Sequence, residues 1–368
     1  MKRYLLLLLL VIAHRTAAQT APRVDFGPLL ERLNQYKQYT QPVDSSGKPL
    51  LPYRGKDYAV ELSSHPIPFA VRQVAVLLPK GANYPLNYSV IYKNRLISLL
   101  ETGRFICLDL PSLIRDTTYE ARLNQRSFQR HWLLEGQLVG MTGGNHYRFD
   151  PDGQWRQFST KAPLLDRPKL FEDDTYVVIG TDHGEWGGTV YFYNKRTGLT
   201  HFMNSSAVAV RKQGVAYQIL SNSGHGSGSF NIWVIDTPER LPTTTYKGQN
   251  DLRRGQVAAS SDTSYVKRSL VVSVYGVQVF SEFVWQQHTL CWLHWAGENV
   301  LTERDGTTFR IVHPFLDDDR LYTHTPITSV YDNWTLITLD YYGEGFYNEV
   351  GCVLIDTNQI TRLRWQKQ

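Results

Sequence analysis

The stretch GTDHGEWGG, residues 180–188, holds Asp182, His183, Glu185 and Trp186 within five positions, with glycines on both sides. These residue types could do three kinds of chemistry. Paired carboxylates can divide acid and base work at a glycosidic bond. An imidazole beside a carboxylate can hold a metal ion. A tryptophan among polar side chains can stack on a sugar ring. DYYGEGFYNE, residues 340–349, carries a similar mixture in Asp340, Tyr341, Tyr342, Glu344, Phe346 and Tyr347. SNSGHGSG (221–228) adds His225, and TGGNH (142–146) adds His146. Asp182, Glu185, Asp340 and Glu344 are the catalytic candidates; His183, Trp186, His225, Tyr341 and Tyr342 are the ligand-binding candidates. None of the spacings is diagnostic of a metal site, so neither a metal nor a cofactor is expected. The chain has no nucleophile elbow, Walker loop or dinucleotide fingerprint.

The elements that must position these residues repeat along the chain. An apolar approach, two polar turn residues and an apolar strand recur as VIYKNRLISLL (90–100), HWLLEGQLVGM (131–141), KLFEDDTYVVI (169–179), VAVRKQGVAYQI (208–219), EFVWQQHTLCWL (282–293) and TSVYDNWTLITL (328–339). Each reads as a hairpin with a tight turn. The second turn residues, Asn94, Gly136, Asp174, Gln213, Gln287 and Asn333, lie 42, 38, 39, 74 and 46 apart. A second motif, a strand ending in Asp or Asn at a turn, places Asp109, Asp150, Asn194 and Asp236 at intervals of 41, 44 and 42. Asp or Asn there can bond its own backbone, and the glycine of DPDG or NKRTG supplies a positive φ. Four strands every forty or so residues is the pattern of a β-propeller.

Residues 66–368 resemble β-propeller proteins, and NKRTG (194–198) is similar to the D-x-x-T-G hairpin of many propeller blades. The resemblance implies an all-β fold and a structural turn; it carries over no active site. Six hairpins give six blades. Seven is the alternative, because the 74-residue gap leaves room for a degenerate blade or an insertion within 237–280. FAVRQVAVLLP (69–79) could pair beside the last strand, ITRLRW, and so close the ring. In each blade the strands run A to D outward, which puts the four candidate loops on one face as B–C turns. The opposite face carries the KN, EG, DD, QQ and DN turns, short and unexceptional. The B–C residues also serve as the polar turns that any propeller needs.

Two other clusters have bland readings. In WQQHTLCWLHW (285–295), alternation puts Cys291, Leu293 and Trp295 on one side and Trp292 and His294 on the other, as inter-blade packing requires. The acids 317–319 lie in a crossing loop as solvated residues, with a calcium site as the alternative.

The chain opens MKRYLLLLLLVIAHRTAAQT, with Lys2 and Arg3, a short apolar run and small residues at Ala17 and Ala18. This reads as a signal peptide over 1–18, too short to span a bilayer, so the mature chain has no stable membrane insertion. Residues 19–65 read as a helix over 25–39, capped by Asp25, followed by a linker rich in Pro, Gly and Ser. Cleavage takes Lys2, Arg3 and Arg15 and lowers the net charge from +5 to +2, so no nucleic-acid partner is expected. The function classes are a periplasmic or extracellular monomeric binding or scaffold module for a glycan or protein, and a secreted hydrolase or lyase acting on carbohydrate through B–C carboxylates.

Cys107, Cys291 and Cys352 sit in apolar strand-like runs at wide spacing, neither a disulfide framework nor a zinc pattern. All three are expected to be buried free thiols on separate strands. Mass spectrometry of the unreduced mature protein checks this, and an intramolecular disulfide would refute it.

Overall fold

In the computed structural model, residues 24–40, 51–82, 85–110, 112–164, 169–182, 187–223, 228–244, 268–315, 326–342, 348–357 and 359–366 are described. The proposed signal peptide lies outside them. Asp25 accepts a hydrogen bond from the Gly27 N–H at 2.8 Å and opens α1 (Gly27–Thr40). Pro28 suits a first turn, where no N–H is needed. Leu29 and Leu33 share the buried face.

After α1 the chain is almost entirely strand. β1 (Tyr53–Arg54), β2 (Ala59–Leu62) and β3 (Ala70–Leu77) precede the ring. Blade I is β4 (Pro85–Tyr92), β5 (Arg95–Leu100) and β6 (Phe105–Asp109), followed by α2 (Thr117–Leu123). Blade II is β7 (Arg130–Leu134), β8 (Gln137–Thr142), β9 (Asn145–Phe149) and β10 (Trp155–Phe158). Blade III is β11 (Lys169–Glu172), β12 (Tyr176–Asp182), β13 (Gly188–Asn194) and β14 (Thr200–Asn204). Blade IV begins with β15 (Ala207–Gln213), β16 (Ala216–Ser223) and β17 (Ser229–Ile235). β18 (Thr243–Thr244) then crosses to pair with β14, and β19 (Arg268–Tyr275) returns to finish blade IV. Blade V is β20 (Gln278–Trp285), β21 (His288–Trp295), β22 (Glu298–Asp305) and β23 (Thr308–Phe315). Blade VI is β24 (Ile327–Tyr331), β25 (Trp334–Tyr342), β26 (Asn348–Ile355) and β27 (Gln359–Gln366).

The protein is a six-bladed β-propeller. Each of the six hairpins read from the sequence is the A–B pair of one blade. The long gap is an insertion between the third and fourth strands of blade IV, and SYVKRSLVVSVYG supplies β19 rather than a seventh blade. β3 lies parallel to β27 over its whole length, as the closure argument requires. The tract read as a linker ends in strands: β2 lies parallel to β23, and β1 pairs with β2.

The turns behave as their residues dictate. Asn194 Oδ1 accepts from the N–H groups of Arg196 and Thr197, both at 3.0 Å, and Gly198 takes φ +70°. Lys93 and Asn94 both adopt positive φ, as do Glu135 and Gly136, the geometry that matches strand twist in a two-residue hairpin.

Blade I departs from the four-stranded plan, and α2 was not anticipated from TTYEARLN. Its cap is Asp116, whose carboxylate accepts from the Tyr119 N–H at 2.8 Å. The helix does the work of a fourth strand with side chains. Asn124 accepts from the Phe105 N–H at 2.7 Å and donates to the Phe105 carbonyl at 2.9 Å. Glu120 accepts from the Cys107 N–H at 3.0 Å and holds Arg115 through two bonds of 2.7 Å. The edge of β6 is thereby satisfied without a neighbouring strand.

Buried clusters fill the gaps between blades. β21 shows the alternation read from its sequence: Cys291, Leu293 and Trp295 pack toward blade IV, and Trp292 packs toward blade VI. The three cysteines are buried and free. Burial pushes the thiols of Cys107 and Cys352 up to about 12.

His131, on β7, is fully buried and stacked on Tyr88 with ring centroids 4.8 Å apart. Burial lowers its pKa to about 3, against a weaker opposing pull from the Ile97 carbonyl. In the unfolded chain a histidine titrates near 6.5. Between those values the unfolded state binds a proton that the folded state refuses, so stability falls as pH drops through that window. Within it the loss approaches about 1.4 kcal/mol per pH unit. The melting temperature is expected to fall from about pH 7 to about pH 4, and to fall less steeply in His131→Phe. Equal slopes in the two proteins would mean that His131 accepts its proton in the folded state.

Candidate functional site in the central channel

The six A strands, β4, β7, β11, β15, β20 and β24, surround the axis of the ring and leave a cavity of about 450 Å³. This is within the size range of small-ligand sites. Every blade contributes to the wall: Val90, Leu133, Phe171, Val210, Val284 and Val330 are one residue from each. Val284 and Val330 are 59% and 69% exposed and sit beside A–B turns. The mouth of the cavity therefore lies on the A–B face.

Charge enters this apolar wall as three ion-paired groups. Glu172, at the end of β11, accepts from Lys169 and from Lys195 at 3.2 Å. It also accepts from the Glu135 backbone N–H at 3.1 Å. Glu282, on β20, is shared by two arginines: Arg211 at 3.0 Å and Arg304 at 2.7 Å. Gln218 donates to it at 3.1 Å, and the Cys291 thiol lies 3.5 Å away. Burial and that carboxylate push the Cys291 thiol pKa well up.

Asp173, in the DD turn, links blade III to blade IV. One oxygen accepts from the N–H groups of Thr175 and Tyr176, both at 2.8 Å. The other accepts from Lys212 and the Tyr217 hydroxyl, both at 2.7 Å. Burial opposes its ionisation, but Lys212, the Tyr176 N–H and Tyr217 together hold the carboxyl down to about 2. This A–B turn, expected to be unexceptional, fixes the position of a cation at the channel wall.

The B–C face is described in part. Asp182 ends β12 opposite Gly188, partly exposed and outside the cavity wall. Asp340, Tyr341 and Tyr342 end β25 opposite Val350, Glu349 and Asn348. The register puts these strand ends on the B–C face, as anticipated. His146 is half-buried, 6.0 Å from Trp132 between ring centroids, and burial lowers its pKa. His183, Glu185, Trp186, His225, Glu344, Phe346, Tyr347 and the acids 317–319 lie outside the described residues. Part of this face is covered. Arg32 of α1 lies 3.7 Å from Glu298 at the B–C turn of blade V. Tyr58 donates to the Gly276 carbonyl at 3.3 Å and accepts from Trp295 at 3.1 Å.

The channel residues were missed by the sequence reading, although a signal existed. KLFED, VRKQ and SEFVW each place a charge on an innermost strand, where no face of the sheet is turned to bulk water. Such charges must be paired within the ring. Among the described residues, no group of three or more His, Cys, Asp and Glu could hold a metal ion. No helix among them is long and apolar enough to cross a membrane.

No family model matches the chain, and no curated protein matches it. Among solved structures, it is similar to BamB from Moraxella catarrhalis at 12% identity, covering 75% of each chain with a TM-score of 0.31. It is also similar to PorZ of Porphyromonas gingivalis, an essential surface component of the type-IX secretion system. That match has 10% identity and a TM-score of 0.27, and covers 78% of this chain and 46% of that one. A third similarity is to the Bacteroides ovatus xyloglucan-locus protein GH43B, at 13% identity and a TM-score of 0.27, over 49% of this chain and 36% of that one.

Glu282→Gln would leave Arg211 and Arg304 facing each other without a buried counter-charge. Breaking a buried ion group from one side costs about 3–5 kcal/mol. Urea unfolding of the variant should show a loss of that size, and Arg304→Met added to it should restore part of the loss. A loss below about 1 kcal/mol would show that Glu282 is no more than a surface partner.

Proposed function

We propose that this chain is an exported binding propeller that receives an apolar segment of a partner protein at the A–B mouth of its central channel. The observation that carries this is the pair Val284 and Val330, exposed at the rim of a cavity whose wall is largely apolar. Contiguous exposed apolar surface on a rigid scaffold is the ordinary mark of an interaction site. The wall is mainly aliphatic and its aromatics, Phe171, Phe283 and Tyr331, are buried or half-buried, which favours a protein segment over a glycan, for which exposed aromatic faces would be the better match. Export is supported by the basic start, short apolar run and small residues of the first eighteen positions.

The hydrolase or lyase reading has less support. The described carboxylates at the channel, Glu172, Asp173 and Glu282, are each held by at least one cation, an arrangement suited to fixing charge rather than to passing protons. Its remaining candidates, Asp182, Glu185, Asp340 and Glu344, belong to the B–C face.

The test is selection of a random-peptide phage library on the immobilised full chain and on a Val284→Asp, Val330→Asp double variant. The wild-type chain should enrich peptides with an apolar core, and the variant should enrich none of them. Equal enrichment on both proteins would place binding elsewhere, and the same result with Trp186→Ala reducing it would favour the B–C face.

A further inference from the structure

The ion pairs at the channel do not balance. Glu172 is shared by Lys169 and Lys195, and Glu282 by Arg211 and Arg304. With the Lys212–Asp173 pair, five cations face three carboxylates, an excess of two positive charges. Position makes the imbalance stronger. In each doubled pair one cation lines the cavity, Lys169 or Arg211, and the other stands behind the wall. Glu172 and Glu282 line the cavity too, but Glu282 is 3% exposed against 31% for Arg211, so the guanidinium is the more open end of that pair. Arg211 spends Nε and Nη2 on Gln218 and Glu282; its Nη1 has no partner among the described residues.

We propose that the channel is an anion site: it binds an amphipathic organic anion, a carboxylate or phosphate on an apolar body, with the head group at Arg211 and Lys169 and the body against the aliphatic wall. Cations held in a low-dielectric wall attract an anion more strongly than the same charges in water, and a guanidinium edge is suited to carboxylate and phosphate oxygens. The inference deepens the reading of the channel as a binding site and rests on it. The segment or molecule that enters brings its own negative charge.

The experiment separates the two ideas. N-phenyl-1-naphthylamine, an uncharged apolar dye, is bound to the full chain and followed by fluorescence. It is then displaced with compounds of one tail and different heads: octanoate, octyl phosphate, octan-1-ol and octylammonium. The expected result is saturable dye binding, with octanoate or octyl phosphate displacing it at concentrations about tenfold or more below those of the alcohol and the amine. Whichever of the two acts at the lower concentration identifies the head group. Arg211→Met and Lys169→Met should each reduce that preference about tenfold. Both variants should fold, because Glu282 keeps Arg304 and Glu172 keeps Lys195; far-UV circular dichroism checks this. If the dye does not bind, the channel is not a site and both readings fall. If the dye binds but the four heads compete equally, or both folded variants keep the preference, the apolar site stands and the anion inference is overturned.

Discussion

The eight register pairs between β3 and β27 are the constraint on which the rest of this molecule depends. The strands of each blade are joined by backbone hydrogen bonds, but neighbouring blades meet mainly through packed side chains. A ring of such sheets keeps its diameter only if its two ends are tied. Here a strand from before blade I lies along the outer strand of blade VI, and the chain then runs directly into blade I. Val76 and Leu78 join the buried cluster that seals those two blades, with Ile106, Leu354 and Trp365. The pairing also covers most of the edge of β27 that would otherwise be open to another chain. β2 does the same for blade V on β23, so the amino-terminal segment is a belt on the outside of the ring.

Closure explains why the channel can carry fixed charge. The six A strands are not hydrogen-bonded to one another, and their spacing is set by the packed clusters behind them. In that frame an ion group shared between blades is held rather than free to collapse. Arg211 of blade IV and Glu282 of blade V meet across one such gap, and Lys212 of blade IV and Asp173 of blade III across the next. Each pair costs desolvation, and each is supported by further bonds from Gln218, Arg304 or Tyr217. Charges kept at that cost mark a site or a specific docking of blades.

The blades depart from regularity at their outer strands. Blade I replaces its fourth strand by α2, whose Glu120 and Asn124 supply the missing partners of β6. Blade IV delays its fourth strand by the insertion that lends β18 to blade III. Both departures are distant from the axis, where a blade can change its edge without altering the inner strands that build the channel.

The sequence by itself determined the repeat. Hairpins at intervals near forty residues, the NKRTG and DPDG turns, the Asp25 cap, and the alternation of Cys291 and Trp292 all follow from local rules: strand period, turn chemistry and the conformational freedom of glycine. These act over a few residues and can be read there. It could not show that TTYEARLN would be a helix, because what stabilises α2 is the unpaired edge of β6 and the Arg115–Glu120 pair, contacts formed only in the folded blade. Nor could it show where the charges of KLFED, VRKQ and SEFVW would meet. Arg211 and Glu282 are far apart in the chain, and only ring closure places them 3.0 Å apart. The loops richest in reactive residue types drew attention to the B–C face. The cavity at the other mouth is visible only in the tertiary structure, because it is made by groups converging in space, and convergence in a ring depends on blades that share no sequence neighbourhood.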